Sequence, residues 1–369
     1  MKYFDYAAST PIDDDNLDLY VKISREVFMH PGTNLKAKQT ELDSKKLILE
    51  TLGLSEEEYD IIYTSGGTEA NNIVVHGFAK NFESPKHFVT TKFEHSSVLD
   101  TLEQVKKLGH KVSYVDIKKD GTVDLDDLKE KLQEDTVMVL MMAVQNEIGT
   151  RQPIEEAVDI VKAYNEDIVF FTDSIQAIGK VKFDYNKFDV MVSSGHKLYS
   201  TKAVGCIIRR HKVNFKPLVF GGGLEKGIRP GSQSVANQVA FAYAINKEVK
   251  AIDEVQGHVQ ELIKIFKEEI KDCNKLRLNV DNSVGTLSLH FDVKILNEAV
   301  CQLFAKEDMM MSARSACSTK NPKPSKTLLS IGMTEEEIFR SVRVSFSKHT
   351  SKQDVIDLAR VAVKIANEN

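Results

Sequence analysis

No apolar run in this chain approaches the roughly 20 residues that a membrane-spanning helix needs; the longest, 137–144, has the length of a strand. The N-terminus, Met1-Lys2-Tyr3-Phe4-Asp5-Tyr6, lacks the long apolar region of a signal peptide. No membrane association and a cytoplasmic location are therefore expected. Cysteine is scarce: only Cys206, Cys273, Cys301 and Cys317 occur in 369 residues, and no two stand in a Cys-x-x-Cys spacing. That argues against a structural zinc or other metal site, and in a reducing cytosol it predicts free thiols. Basic residues are not in excess: 49 Lys and Arg face 54 Asp and Glu, a net charge of −5. Direct nucleic-acid binding is not expected as the main activity. Repeats and low-complexity tracts are absent too. What remains is an ordinary soluble composition, 42% hydrophobic and 28% charged, long enough for one large domain or two.

From about residue 60 to 210, strand-length apolar runs alternate with helical patterns. The expected strands are 61–64, 87–91, 111–117, 136–144, 167–172, 189–193 and 205–208. Helix-like segments lie between them at 69–80, 98–107, 125–134 and 154–164. Continuous apolar strands separated by helices predict an α/β fold with a mostly parallel sheet covered on both faces. Such sheets bind ligands beyond the carboxyl ends of their strands. After about residue 235 the pattern changes. Residues 238–271 read as long amphipathic helix with a possible break at Gly257. Strands at 276–280, 285–291 and 342–346 and helices at 296–306, 334–340 and 352–366 follow. The stretch 311–326 is rich in Ser, Lys and Pro and reads as an exposed loop. The expected organisation is a large domain, 12–248, and a smaller α+β domain made of 1–11 and 249–369, which carries the loop at about 312–326.

The chemistry-bearing residues fall at strand ends. Val190-Met191-Val192-Ser193-Ser194-Gly195-His196-Lys197 delivers one lysine from an apolar run. A desolvated amine with a lowered pKa can form a Schiff base, and pyridoxal phosphate is the usual aldehyde cofactor. The segment Thr64-Ser65-Gly66-Gly67-Thr68 follows a strand and opens a helix, so free backbone N–H groups and the helix dipole can cradle a phosphate. An ordinary glycine turn with Thr68 as helix cap reads the same residues. Asp173 ends another strand; a carboxylate there can keep a pyridine nitrogen protonated, or simply cap the next helix. Gln176 can donate to the ring's phenolate oxygen. His95 can stack on the ring and shuttle a proton, or serve a structural role. Ser194 and His196, next to Lys197, suit phosphate binding. Arg343, on a strand, can clamp a carboxylate with paired hydrogen bonds, or belong to an ion pair. Cys317 lies in the loop between Arg314 and Lys320, whose charges favour the thiolate. One cofactor site explains all the strand-end residues together.

These residues resemble the cysteine desulfurases, in the class V branch of the pyridoxal-phosphate enzymes of fold type I. The resemblance runs in order through residues 3–11, 64–72, Glu94-His95, Asn146-Glu147-Ile148-Gly149, Asp173-Ser174-Ile175-Gln176, Ser194–Lys197 and Gly221-Gly222-Gly223. Ser315-Ala316-Cys317 and the long stretch to Gly332 resemble the subgroup with an extended loop. The resemblance implies a seven-stranded sheet flanked by helices and a cofactor held by Lys197. Gly67, Thr68, Ser194 and His196 would hold its phosphate. Asn146 and Arg343 would hold the carboxylate of L-cysteine, and Lys197 would move the Cα proton. His95 would stack on the ring and deprotonate the incoming cysteine. Cys317 would take the sulfur as a persulfide, with L-alanine as product, for an acceptor protein in iron–sulfur assembly or tRNA thiolation. A hydroxyl at Ser232 from a second subunit would complete the phosphate cradle, which implies a homodimer. Ser232 stands where threonine is usual, Arg314 where small residues are common, and His30-Pro31-Gly32 and Ser200-Thr201 depart from the family pattern. Selenocysteine lyase or aminotransferase chemistry on the same scaffold is an alternative, as is a non-catalytic homologue.

Overall fold

The computed structural model describes residues 1–313 and 323–369, so Arg314 and Cys317 lie outside the described residues. A two-residue strand, β1 (Lys2–Tyr3), opens the chain. Two helices that the sequence reading did not anticipate follow, α1 (Asp14–Glu26) and α2 (Leu35–Thr51). Both carry start signals. Asp14 and Asp15 fill the first turn of α1, and the Asn34 side chain caps α2 by accepting from the Ala37 N–H at 3.0 Å. Their buried faces hide them, since α1 buries only Asn16 and α2 buries Glu41 and Ser44 among its apolar residues. Polar residues on the inner face erase the apolar period that marks a helix.

The central sheet has seven strands: β2 (Tyr59–Thr64), β3 (His87–Thr91), β4 (Lys111–Val115), β5 (Thr136–Leu140), β6 (Val169–Asp173), β7 (Val190–Ser194) and β8 (Gly205–Arg210). Their order is β2-β8-β7-β6-β5-β3-β4, and β8 alone runs against its neighbours. Residues alternate between the two apolar faces of the sheet. Ile61, Val89, Val139, Phe170, Met191 and Ile208 face one side, and Ile62, Phe88, Met138, Phe171, Val190 and Ile207 face the other. Helices α3 (Gly67–Ala79) and α4 (Ser96–Lys107) cover the second face, while α5 (Leu125–Lys131) and α6 (Ile154–Tyr164) cover the first. Burial on both faces explains why these strands read as continuous apolar runs. β5 ends earlier than its apolar run. Met141 to Val144 stay buried, but the backbone turns to meet β6, with the Met141 and Ala143 N–H groups donating to Phe171 and Asp173.

Beyond the sheet, α7 (Val235–Lys250) and α8 (Ile252–Ile270) replace the single long helix expected, and the break falls at Ala251 rather than Gly257. Ala251 is at once the end of α7 and the cap of α8, with Asp253 and Glu254 in the new first turn. Gly257 sits inside α8 facing open space, so it imposes no turn. The chain closes with β9 (Leu276–Leu278), β10 (Thr286–Phe291), α9 (Asn297–Lys306), β11 (Met309–Met310), α10 (Lys326–Ser330), α11 (Glu335–Ile338), β12 (Ser341–Ser345) and α12 (Lys352–Glu368). Strands β12-β10-β9 form an antiparallel sheet, and α8, α9 and α12 pack a second core against it around Phe266, Leu289, Phe291, Val344 and Leu358. The N-terminus belongs to this core. β1 pairs with β11, Phe4 is fully buried within it, and Asp5 bridges to Ser345.

The two cores meet at a turn after β5. Gly149 there has φ +72, and the Val284 N–H donates to its carbonyl at 3.0 Å. A Cβ on Gly149 would lie 2.3 Å from the Thr286 carbonyl oxygen and 2.2 Å from the Ser283 hydroxyl. Gly149→Ala combines left-handed strain with backbone overlap, and should lower unfolding stability in urea by about 2–3 kcal/mol. A loss below about 0.5 kcal/mol would contradict this tight junction.

Candidate active site

Five strand-to-helix turns open on one cleft of about 390 Å³. Gly66, Gly67, Thr68, His95, Asn146, Asp173, Gln176, His196, Lys197 and Arg343 all line it. Of the residues expected from sequence, Ser194 sits immediately beneath this lining and Ser232 does not reach it. Ser232 is exposed on the loop before α7. Cys317 lies outside the described residues, but Ala313 and Lys323, next to the segment that holds it, line an adjoining cavity with His95 and Asn146.

At the N-terminus of α3, Gly66 has φ +147 and Gly67 packs against the next turn so closely that a Cβ would lie 2.2 Å from Ile175 Cδ1. The first-turn N–H groups of this 13-residue helix have no helical acceptor, and its dipole favours an anion. Opposite, the Ser194 hydroxyl and His196 Nδ1 lie 2.9 Å apart. Burial, reinforced by the Lys197 charge, pushes His196 down to about 4, so its imidazole is neutral at physiological pH.

Asp173 is buried, with both carboxylate oxygens held. Oδ1 accepts from the Ile175 N–H at 3.1 Å and Oδ2 from Asn71 Nδ2 at 2.9 Å. Asn71 also donates to the Ser97 hydroxyl at 2.8 Å, which in turn lies 2.8 Å from His95 Nδ1. Because the Ser97 backbone N–H donates to the same Nδ1, that nitrogen is the ring's acceptor and the neutral ring carries its proton on Nε2. Asn71 and Ser97 thus orient two of the expected residues. The position of Asn71, three residues after Thr68 on one helix face, was the available signal.

Lys197 follows β7 in a short 3₁₀ turn and donates to the backbone carbonyls of Ala7 and Ala8, at 2.5 and 2.7 Å. Gln176 is engaged at both ends. Its Nε2 donates to the Ala7 carbonyl at 2.8 Å and its Oε1 accepts from Lys180 at 2.6 Å. Arg343 is buried and ion-paired to Asp5 at 2.7 Å through Nη2, while Nη1 donates to the Asn146 carbonyl at 3.3 Å. Its Nε has no partner among the described residues. A buried guanidinium nitrogen of this kind calls for an acceptor. Sequence reasoning missed Asp5, whose contact with Arg343 spans almost the entire chain.

These residues suit pyridoxal phosphate. The glycine cradle and helix N-terminus fit its phosphate, the held carboxylate of Asp173 its pyridinium, and the lysine its aldehyde. Residues 2–358 match the class-V aminotransferase family. The chain belongs to that family, in its cysteine desulfurase branch. The cysteine desulfurase IscS of Mannheimia succiniciproducens is 32% identical, over 98% of this chain and 92% of that protein. The mitochondrial cysteine desulfurase of Arabidopsis thaliana is 33% identical, over 98% of this chain and 82% of its own. Among solved structures, a NifS-like protein superposes with a TM-score of 0.92 at 28% identity, each chain fully covered. The fold is that of the fold type I enzymes, and the family's cofactor is pyridoxal phosphate. Among the described residues, no group of three or more His, Cys, Asp or Glu side chains gathers as a metal site, and no helix is long and apolar enough to cross a membrane.

Beside the cleft, burial pushes Glu94 up to about 8, although Thr91 Oγ1 and the Met142 N–H donate to its Oε1 at 2.9 and 3.0 Å. The folded protein therefore keeps a proton that the unfolded chain releases above the ordinary carboxyl value near 4.5. Stability from this group is fully present below that value, falls as pH rises, and levels off above about 8. Glu94→Gln has no proton to lose. Its melting temperature should gain on that of the unsubstituted protein between pH 5 and pH 8.5. Two curves that stay parallel would show Glu94 to be ionised in the fold.

Proposed function

We propose that this protein is a pyridoxal-phosphate-dependent cysteine desulfurase. It converts L-cysteine to L-alanine and passes the sulfur, as a persulfide on Cys317, to an acceptor protein. The observation that carries the reading is the convergence on one cleft of Lys197, Asp173 and the buried Arg343, whose guanidinium Asp5 holds in place. A substrate carboxylate beside that guanidinium brings the amino-acid Cα toward the lysine. The cofactor, when bound, supplies the electron sink that makes the Cα proton labile.

The protein's own groups do the rest. Lys197 holds the cofactor and moves the Cα proton. Asp173 stabilises positive charge at the pyridine nitrogen. Gly67, Thr68, Ser194 and His196 hold the phosphate, with neutral His196 contributing a hydrogen bond rather than a charge. Asn146 borders the substrate carboxylate beside Arg343. His95 stacks over the ring and, with Nδ1 accepting from Ser97, presents a proton on Nε2; this favours a donor's role toward the substrate over that of a base. The net change balances: L-cysteine and the Cys317 thiol become L-alanine and the Cys317 persulfide. An iron–sulfur scaffold protein or a tRNA-thiolating enzyme is the acceptor, and the cytoplasm the compartment.

We further propose a homodimer in which Ser232 of one subunit completes the phosphate cradle of the other. Phe28, Leu35, Val219 and Phe220 expose 79, 89, 60 and 82% of their surface. These segments adjoin, since a Cβ on Gly32 would touch Leu224 at 4.0 Å. A second copy is the occupant that would cover this apolar surface. Phe220→Asp should give a monomer by light scattering and lose cofactor on gel filtration; a cofactor-retaining dimer would contradict the assignment.

The decisive assay measures sulfide and alanine together from L-cysteine and a thiol reductant. Equal amounts should form, and Cys317→Ala should abolish sulfide release while the bound cofactor's absorbance persists. Full activity in that variant would point to a different pyridoxal-phosphate reaction.

A further inference from the structure

Next to the cleft, and sharing Lys197 and Gln176 with it, lies a second, small cavity of about 50 Å³ lined by residues of both the large and the smaller core. Lys197 lines it, and so does a second lysine, Lys180. Nothing in the proposed reaction uses Lys180. It follows β6 as Lys197 follows β7, so adjacent strands deliver two amines to one small space. The turn that does this is tight. Gly179 has φ +74, and a Cβ there would lie 2.8 Å from both Glu248 Cβ and Leu198 Cδ2. The Lys180 amine donates to Gln176 Oε1 at 2.6 Å, Gln176 donates to the Ala7 carbonyl at 2.8 Å, and Lys197 donates to that same carbonyl. One glutamine and one carbonyl therefore separate the two amines.

We infer that Lys180 is the charge partner of Lys197: held by Gln176 across the shared cavity, its cation disfavours a proton on the Lys197 nitrogen and keeps that amine nucleophilic. The inference rests on the reading of Lys197 as the cofactor-bearing residue. Two ammonium groups in a cavity with room for little water repel each other, and neutralising one leaves the other charged. The coupling is reciprocal. Burial, and then Lys197, push Lys180 down from 10.5 to about 7, so its cation, and the repulsion it exerts on the Lys197 nitrogen, is present below about pH 7 and fades above it. The other charges facing this pair do not cancel the effect. Glu248 of α7 is the nearest carboxylate, and it is committed to Lys348 at 2.6 Å. Arg343 of β12 adds positive charge but is paired with Asp5. Tyr6 and Tyr199 line the cavity, Tyr199 held protonated by burial, and His196 is neutral. Lys180 does not line the cleft itself, so it is a positioning residue that acts through Lys197.

The test is a pH titration of the visible absorbance of the holoenzyme, which reports the proton on the nitrogen joining Lys197 to the cofactor and does not depend on turnover. Lys180→Met removes the cation and should raise the midpoint by about one pH unit, a tenfold gain in proton affinity. Lys180→Arg carries a charge that is not lost as pH rises, and should leave the midpoint unraised. Lys180→Gln, neutral but polar, is made in parallel in case the Met variant does not fold, and should shift the midpoint as Met does. An unmoved midpoint in a folded neutral variant, or an Arg variant that moves as far as Met, would overturn the inference. If the unsubstituted protein shows no such band, or Lys197→Ala keeps it, the assignment of Lys197 itself fails instead.

Discussion

The carbonyl of Ala7 is the point on which the cleft depends. The N-terminal segment leaves the smaller core at Phe4, crosses to the large sheet, and offers Ala7 to Lys197 and Gln176 together. Thr10 then ties the same segment to the 3₁₀ turn, its N–H donating to the His196 carbonyl at 2.8 Å and its hydroxyl accepting from the Tyr199 N–H at 2.8 Å. A backbone carbonyl cannot rotate away as a side chain can. It fixes the amine of Lys197 within the cleft that Asp173 and His95 also line. The same segment carries Asp5, which orients Arg343. One N-terminal segment, which turns at residues 6–8, thus aligns the groups for the cofactor and for the substrate carboxylate, and does so from the core that also carries β12.

Charge in the cleft is managed by a few pairings. The buried Arg343 is accompanied into the interior by Asp5, which pairs with its Nη2. The two oxygens of Asp173 are each held by a donor, Asn71 Nδ2 and the Ile175 N–H. His196 and Glu94 are neutral at pH 7, because burial costs more than their neighbours return. A phosphate dianion therefore meets helix dipole and hydrogen bonds at His196 rather than a fixed positive charge. Lys180 lines the second cavity rather than the cleft, and shares it with Lys197.

Much of this was legible in the sequence because strand ends are marked. Gly66-Gly67, Asp173 and Lys197 stand where apolar runs stop, and a covered parallel sheet can place such residues nowhere but along one edge. The two-faced burial that makes the runs continuous also makes their ends visible. Other features were not legible, for physical reasons. Helices α1 and α2 carry capping residues but bury Asn16, Glu41 and Ser44, so the apolar period was missing. The break at Ala251 is set by packing between two cores rather than by a glycine. Asp5 and Lys180 look like ordinary surface charges until the fold brings the first to Arg343 and the second to the cavity it shares with Lys197. Ser232, read from resemblance, is exposed on the loop before α7, away from its own chain's cleft.

The central claim is that Lys197 alone, of two lysines facing one cavity, bears the cofactor. Borohydride reduction of the holoenzyme, followed by proteolysis and mass spectrometry, tests it most directly. The account predicts the cofactor's mass on the peptide containing Lys197 and on no other lysine. The same mass on the peptide containing Lys180, or no retained cofactor after reduction, would contradict it.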